Sequence, residues 1–326
     1  MNRRTFLCGL TLGTLFAPLA AVAQRVVKVY RVGVIHQGGP YGAVIQGLRD
    51  GLGELGFEER KHFVLDIRDT RGDLRAVEEA ARDLVRARVD LLYTVGTSVS
   101  LAAKRTTVDI PMVFCAGTDP VGLGLVESLA KPGGRLTGIH FLSTDLTAKR
   151  LEVLKELLPK ARRIVTFYDP NNHPSARESS ALARDAARHL GIELLERRVS
   201  SVEELLVGLR ALRPGEADAF LPVSDAMVLS QTPALVDVMK PKRLPTMIAD
   251  LNLVAAGALA GYGVNYYEVG HLSAKHVMRV LAGTNPRDLP VESVDRVQLV
   301  LNLRVARELG LTIPQSVLVR ADHVIE

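Results

Sequence analysis

The stretch Val29-Tyr30-Arg31-Val32-Gly33-Val34-Ile35 decides the fold class, because its β-branched residues predict a strand and a helical pattern follows it directly. Residues 41–55 place apolar side chains at helical spacing, and Gly56 stands where a helix cap belongs. The alternation continues, with strands predicted at 63–68, 90–95 and 111–115 and helices at 74–86 and 98–106. This order predicts a parallel, doubly wound α/β sheet.

A second cycle of strands and helices begins near residue 140. Residues 136–141 are extended, a helix covers 146–158, and further strands are predicted at 163–168, 193–199, 219–223 and 245–248. Two α/β lobes account for this second set better than one very wide sheet. No long linker rich in glycine, serine or proline separates the halves. We therefore expect two lobes joined by short crossing strands, with a ligand cleft between them.

Residues 1–24 have the composition of a secretory signal peptide. Arg3-Arg4 begins the stretch, an apolar segment follows, and Ala21-Val22-Ala23 ends it. This pattern predicts a signal peptide at 1–23, cleavage near Ala23 and a periplasmic location. Arg3-Arg4-Thr5-Phe6-Leu7 also fits a twin-arginine signal, although paired arginines occur in ordinary signals as well. An N-terminal membrane anchor is the alternative, but the apolar run is short for a span of about 20 residues.

Charge and cysteine content narrow the function classes. Cleavage removes two arginines and no acidic residue, so the formal charge falls from +5 to +3 on about 300 residues. Basic and acidic residues are interleaved without a run of one sign, which argues against a nucleic-acid groove. Cys8 leaves with the leader, so Cys115 has no partner for an internal disulfide. We interpret Cys115 as a packed core thiol; a reactive nucleophile is the alternative.

The sequence offers no motif for catalysis, for a metal or for a nucleotide cofactor. It contains neither a G-x-S-x-G elbow nor H-E-x-x-H, and the spacings of its eight histidines do not resemble a zinc site. The loop HQGGPYG at 36–42 is glycine-rich, but it lacks the dinucleotide spacing and a P-loop lysine. We therefore predict no catalytic residues, no metal site and no cofactor.

Ligand contacts are expected in the loops at the carboxyl ends of the strands, where open α/β sheets bind small molecules. In the first half of the chain these loops supply Gln37, Thr97, Ser98 and Asp119. Thr97 or Ser98 alternatively caps the helix that follows, and the same position aims backbone N–H groups at an anion. Asp119 alternatively forms a turn before a proline.

The second half of the chain offers Tyr168, Asn172, Asp225, Asp250 and Tyr262 at equivalent positions. Asp225 and Asp250 alternatively cap short helices. Tyr262 belongs to GYGVNYY at 261–267, whose glycines and tyrosines suit a chain that crosses between lobes. The chain has no tryptophan and only 5% aromatic residues, which argues mildly against a sugar ligand stacked on broad aromatic faces.

Several stretches of the sequence match a known protein family. In the first half they are IPMVF at 110–114, DPVG at 119–122, GLVESLAKPGG at 124–134, LTG at 136–138 and KRLEVLKE at 149–156. Towards the C-terminus they are DLPVE at 288–292, LGLTIP at 309–314 and RADHVIE at 320–326. With these stretches the chain resembles the exported substrate-binding proteins of ABC transporters that include tryptophan- and tyrosine-binding members. The clearest departure is EERKH at 58–62, in a surface loop where such proteins often have a Glu-Gly-x-Asn turn.

The resemblance implies the type I periplasmic binding protein fold, with a hinge of three crossings near Phe141, Val264 and Val294. The expected N-terminal lobe comprises residues 24–141 and 264–293, and the expected C-terminal lobe comprises 142–263 and 294–326. The resemblance also implies that the lobes close on a small solute and capture it. This solute is expected to be an amino acid or a related polar or aromatic molecule. The closed monomer then docks on an inner-membrane ABC permease, whose ATPase drives import.

For an amino-acid ligand, Thr97 and Ser98 are expected to hold the carboxylate. A buried ammonium needs a partner of opposite charge, and Asp119, Asp225 or Asp250 would provide it. Tyr168 and Tyr262 are expected to line the side-chain pocket.

Two other functions remain open at this point. The same fold presents ligands to membrane receptors in sensor proteins, and the sequence does not separate a sensor from a transport protein. An exported hydrolase would need a nucleophile and a base, for which no motif is present.

Overall fold

The computed structural model describes residues 28–171 and 174–326, which form an α/β protein with two groups of strands. The first part of the chain forms β1 (Tyr30–His36), α1 (Tyr41–Glu54), β2 (Phe63–Asp69), α2 (Leu74–Arg86), β3 (Leu91–Val95), α3 (Thr97–Thr106), β4 (Met112–Ala116) and β5 (Leu136–Phe141). The middle part forms α4 (Leu146–Leu157), β6 (Arg163–Tyr168), α5 (Ser175–His189), β7 (Glu193–Arg198), α6 (Val202–Ala211), β8 (Ala219–Phe220), α7 (Ala226–Ser230), α8 (Thr232–Met239), β9 (Met247–Ile248) and β10 (Ala260–Val264). The last part forms α9 (Tyr266–Leu281), β11 (Glu292–Val294), β12 (Val297–Asn302), α10 (Leu303–Leu309), α11 (Gln315–Leu318) and β13 (His323–Ile325).

The first sheet has six parallel strands in the order β11-β5-β4-β3-β1-β2. Successive side chains of a strand point to opposite faces, so Val34 packs into one core and Ile35 into the other. Helices α1 and α9 cover the first face, and α2 and α3 cover the second. We call this sheet and its four helices the first lobe. Its doubly wound, parallel arrangement confirms the fold class predicted from the strand and helix order.

Helix α9 belongs to the first lobe although it is remote in sequence. It lies so close to α1 that a Cβ on Gly270 would collide with the carbonyl oxygen of Val44, and one on Gly47 with that of Tyr267. Two glycines therefore allow the backbones of the two helices to touch.

The second lobe contains the remaining strands, in a three-stranded group β7-β6-β8 and a four-stranded group β13-β12-β10-β9. A single bridge between Phe220 and Thr246 joins the two groups. Strand β8 is shorter than predicted, because Pro222 has no N–H group to continue the ladder. Strand β12 runs antiparallel to β10, since the chain reaches it from β11 of the first sheet rather than through a helical crossover.

The chain passes between the two sheets three times, after β5, between β10 and α9, and between β11 and β12. Val264 still pairs with Val297 in the second sheet, and Val294 pairs with Phe141 in the first. The exact lobe limits, 24–141 with 264–293 and 142–263 with 294–326, stay a prediction.

Some expectations concern residues outside the described ranges. The predicted signal peptide, with its predicted twin-arginine motif, and Asn172 are among them. No helix in residues 28–171 or 174–326 combines the length and the apolar character that a membrane span requires.

Candidate functional site

A cavity lies between the lobes, at the carboxyl ends of strands β3, β4 and β5. The first lobe and the β5–α4 crossing contribute Tyr41, Gly96, Thr97, Ser98, Gly117, Thr118, Phe141, Ser143 and Thr144 to its wall. The second lobe contributes Ser175, Ser224, Ala226 and Leu229. The cavity has a volume of about 20 Å³, which is room for one water molecule. A solute of amino-acid size therefore enters only when the lobes separate.

Thr97 organises the first-lobe wall. Its Oγ1 accepts hydrogen bonds from the backbone N–H groups of Gly117 at 3.0 Å and Thr118 at 3.2 Å, which joins the loops after β3 and β4. A hydroxyl that accepts two N–H groups still has its own proton to donate. Thr97 is also the first residue of α3, and the N-cap Gly96 has no side chain to cap that helix. This wall therefore presents hydrogen-bond donors to the cavity.

Hydroxyl groups connect the two lobes across the cavity. Thr118 Oγ1 lies 2.8 Å from Thr144 Oγ1 and 2.8 Å from Ser175 Oγ, at the start of α5. Ser143 Oγ lies 3.1 Å from Ser224 Oγ, which donates to the Ser143 carbonyl at 2.9 Å. The contact between the lobes is thus built from small polar groups that exchange partners at little steric cost.

Gln37 is the least satisfied polar side chain near the cavity. Its side chain is fully buried, and neither its amide nitrogen nor its amide oxygen has a hydrogen-bond partner within the described ranges. Its Oε1 lies 4.0 Å from the position that a Cβ on Gly96 would occupy, and Gly96 lines the cavity. Buried amides are almost always hydrogen-bonded, so the Gln37 amide beside the cavity is a group that a bound molecule could satisfy.

The three aspartates predicted to balance an ammonium group differ in their surroundings. Asp119 is exposed and accepts from the backbone N–H of Val121 at 2.9 Å, as a turn residue does. Asp225 is buried and accepts from the N–H groups of Val228 at 3.0 Å and Asp169 at 2.8 Å, so both its oxygens are engaged by backbone.

Asp250 is only 3% exposed and accepts from the N–H of Asn252 at 3.1 Å. Burial disfavours its charged form and raises the pKa of its carboxyl to about 6. Burial raises the pKa of the Tyr41 and Tyr266 phenols; Asp225 and Asp250 add to the rise at Tyr41, which lines the cavity, and Asp250 adds to the rise at Tyr266.

The aromatic residues at the cavity are not the two predicted. Tyr168 packs with Ala176, Ala183 and Val223, and Tyr262 packs against the second-lobe core. Neither lines the cavity in its described wall.

Tyr41 and Phe141 lie there instead, and Tyr266 packs edge-on against both with ring centroids 5.7 Å apart. Burial raises the pKa of Tyr266 to about 12 and that of Tyr41 well above its usual value, so both phenols stay neutral. The position of Phe141 at the end of a predicted strand was the available signal for it.

Arg150 holds two crossing segments together beside the site. It is 1% exposed, its Nε donates to the Tyr262 carbonyl at 2.8 Å, and its Nη2 donates to the Ser143 carbonyl at 2.9 Å. Burial lowers the pKa of its guanidinium to about 10, so it remains charged at neutral pH. Its Nη1 has no partner in the part of the chain that the structure describes. Sequence reasoning missed this residue, which lies in the middle of an ordinary helical pattern.

Comparison with known proteins agrees with this geometry. The family model for ABC transporter substrate binding proteins matches residues 31–325. The chain is 30% identical over 258 residues to the tyrosine-binding protein of Clostridioides difficile strain R20291, covering 79% of this chain and 73% of that protein. The expected type I periplasmic binding protein fold is confirmed by the likeness to solved structures.

Two of these solved structures differ in the state that they represent. The ABC domain of Streptococcus pneumoniae in complex with L-Trp has a TM-score of 0.80 at 26% identity, covering 91% of this chain and 100% of that one. The ligand-free, open structure of a substrate binding protein with adhesive properties from Clostridium difficile has a TM-score of 0.58 at 25% identity. The match covers 91% of this chain and 99% of that one. At nearly equal identity, this chain is closer to the liganded structure, in keeping with its small cavity.

Proposed function

The chain belongs to the family of ABC transporter substrate-binding proteins, and we propose on this basis that it captures an amino acid outside the inner membrane for an ABC importer. The cavity walled by both lobes carries the proposal. A ligand favours the closed state only if it contacts both sides, and here residues of both lobes reach the same small space. The closed, monomeric form would dock on a membrane permease, whose ATPase drives import.

The polar half of the cavity supports an amino-acid head group. Thr97 and Ser98, at the start of α3, would receive the carboxylate, and Gln37 would donate to it from the buried edge. Asp250 would balance the ammonium, because a buried carboxylate with a raised pKa gains most from a cation. Asp119, Asp225 and Asn172 complete the proposed polar set.

The apolar half supports an aromatic side chain. Tyr41 and Phe141 line the cavity together with Ala226 and Leu229, so a ring would find aromatic and aliphatic groups around it. Tyr168 and Tyr262 stay in the proposal as residues behind this wall. Relatives described as binding tyrosine and L-Trp favour the same ligand class.

Export is the second part of the proposal. The Arg3-Arg4 start and the Ala21-Val22-Ala23 end support removal of residues 1–23 and a periplasmic location. Fractionation of expressing cells, followed by mass measurement of the periplasmic protein, would give a mature N-terminus at Gln24. An uncleaved chain in the membrane fraction would contradict this part.

Ligand screening tests the binding function directly. The mature chain has no tryptophan, so indole fluorescence in a binding assay comes only from the L-tryptophan ligand, and its change on adding protein reports binding. A true ligand at 100 times its Kd adds about 2.7 kcal/mol to the free energy of unfolding. We expect L-tyrosine or L-tryptophan to give such a shift, and sugars and purines to give none. A shift with a sugar and none with any amino acid would contradict the proposal.

A further inference from the structure

Two helix N-termini, one from each lobe, meet at the cavity. Helix α3 has 10 residues and begins at Thr97, and helix α5 has 15 residues and begins at Ser175. The residues before them, Gly96 and Pro174, provide no side-chain hydrogen bond to cap either helix. The first N–H groups of a helix carry partial positive charge and lack intrahelical partners, so both ends favour an anion.

Thr118 connects these two helix ends. Its backbone N–H donates to Thr97 Oγ1 at 3.2 Å on the α3 side, and its own Oγ1 lies 2.8 Å from Ser175 Oγ on the α5 side. All three side chains line the cavity. A single small group at this point would therefore contact both lobes at once.

Gln37 independently indicates that a molecule binds here. Its amide is fully buried and unpartnered among the described residues, and its Oε1 faces Gly96, the residue immediately before α3. An unmade hydrogen bond of a buried group destabilises a protein unless a ligand or water satisfies it.

We propose that the α5 N-terminus with Ser175 is the second half of a carboxylate site, so that the ligand's carboxylate is the group that closes the lobes. This inference rests on the proposed function and names the ligand group that both lobes share. The neutral contact between Thr118 and Ser175 would give way to charge-assisted hydrogen bonds, which are roughly twice as strong. The site selects carboxylates, and amines that lack the carboxylate, such as tyramine, leave the lobes open.

Substitution Ser175→Asp tests the site with little risk to folding. An acidic residue in the first turn favours a helix, so α5 is retained, while its charge faces any anion held by α3. Ser201→Asp is the matched control, because it places the same charge at the exposed N-cap of α6 in the same lobe. Ser175→Ala provides a second variant that removes only the hydroxyl.

Calorimetry with L-tyrosine, and small-angle scattering with and without it, give the readouts. We expect Ser175→Asp to weaken binding at least about tenfold and to prevent the ligand-induced decrease in radius of gyration. Ser175→Ala should weaken binding severalfold, Ser201→Asp should bind like the wild type, and tyramine should not compact the wild type. If the wild type binds and compacts, and Ser175→Asp binds and compacts equally well, the inference is overturned while the proposed function stands. A wild type that binds no amino acid would contradict the proposed function itself.

Discussion

The α-carbon of Gly39 lies against the second lobe, where an added Cβ would be 2.5 Å from the carbonyl oxygen of Leu229. Gly39 follows β1 and Leu229 belongs to α7, so this contact joins the lobes. Gly72, after β2, makes a similar contact, with a Cβ position 2.6 Å from Ser230 Oγ. The lobes can approach each other at these two contacts because Gly39 and Gly72 have no side chain.

Gly39→Ala is expected to keep the lobes apart. The new methyl group would have to displace the backbone of α7, which carries the cavity residues Ala226 and Leu229. We expect affinity for the amino-acid ligand to fall by about tenfold or more, and the ligand-free radius of gyration to rise. Calorimetry and small-angle scattering measure the two effects.

Gly56→Ala is the matched control for this substitution. Gly39 has φ of +58° and Gly56 has φ of +82°, so both alanines meet backbone strain of about 1 kcal/mol. A Cβ on Gly56 would contact nothing within 4 Å. Equal loss of affinity in the two variants would attribute the effect to strain rather than to blocked closure.

Gln37→Met separates ligand binding from stability. Because both amide atoms of Gln37 lack partners within the described chain, an apolar side chain of similar size should leave the unfolding free energy unchanged or raise it by about 1–3 kcal/mol. Ligand affinity should fall about tenfold. Urea unfolding and calorimetry check the two effects. Gln46→Met, on the exposed face of α1, serves as control and should bind normally. A destabilised variant with full affinity would show that Gln37 is structural.

Asp250 makes the stability of the ligand-free protein depend on pH. Burial raises the pKa of its carboxyl from 3.8 to about 6, so the folded protein holds this proton more tightly than the unfolded chain. The resulting stability, about 3 kcal/mol by the size of the shift, is fully present below the unfolded pKa and is lost as the pH rises through about 6.

Asp250→Asn, which remains neutral, should retain that stability. Relative to wild type, its unfolding free energy should therefore increase between pH 4 and pH 7, as urea denaturation at several pH values would show. The same variant should bind an amino acid more weakly, because the ammonium loses its partner. Asp73→Asn, at an exposed helix cap, is the control. If the difference in unfolding free energy between Asp250→Asn and wild type does not vary with pH, the raised pKa of Asp250 is contradicted.

Cys115 is expected to be unreactive in the folded protein. It is fully buried in β4, with its Sγ 3.0 Å from the Tyr93 hydroxyl and 3.2 Å from that of Ser273, and burial raises its pKa to about 11. Only the thiolate reacts with disulfide reagents, so the mature native chain should release no chromophore, and the unfolded chain should react at once. Rapid labelling of the native protein would restore the interpretation as a nucleophile.

Much of the fold was predictable because its determinants are local. The β-branched run at Val29–Ile35 and the apolar spacing that follows specify a strand and a helix wherever they are placed, and the strands around Leu91 and Met112 follow the same rule. The short strand at Ala219 was predicted too long, because the effect of Pro222 on the ladder depends on its neighbour in the sheet.

The candidate site was predictable only in part. Thr97 and Ser98 follow a strand and precede a helix, a local pattern, and both line the cavity. Ser175 and Ser224 line it as well. Ser224 directly follows the strand predicted at 219–223, whereas no predicted strand ends next to Ser175. Their importance comes from facing the first lobe.

The sequence by itself determined the alternation of strands and helices in the first part of the chain and the family, because each depends on residues close together along the chain. Only the tertiary structure decided which polar groups share one cavity. Thr118 and Ser175 are 57 positions apart, and Gly39 and Leu229 are far more distant. These pairs meet because three crossings set one lobe against the other, and the geometry of that contact depends on packing over the whole chain.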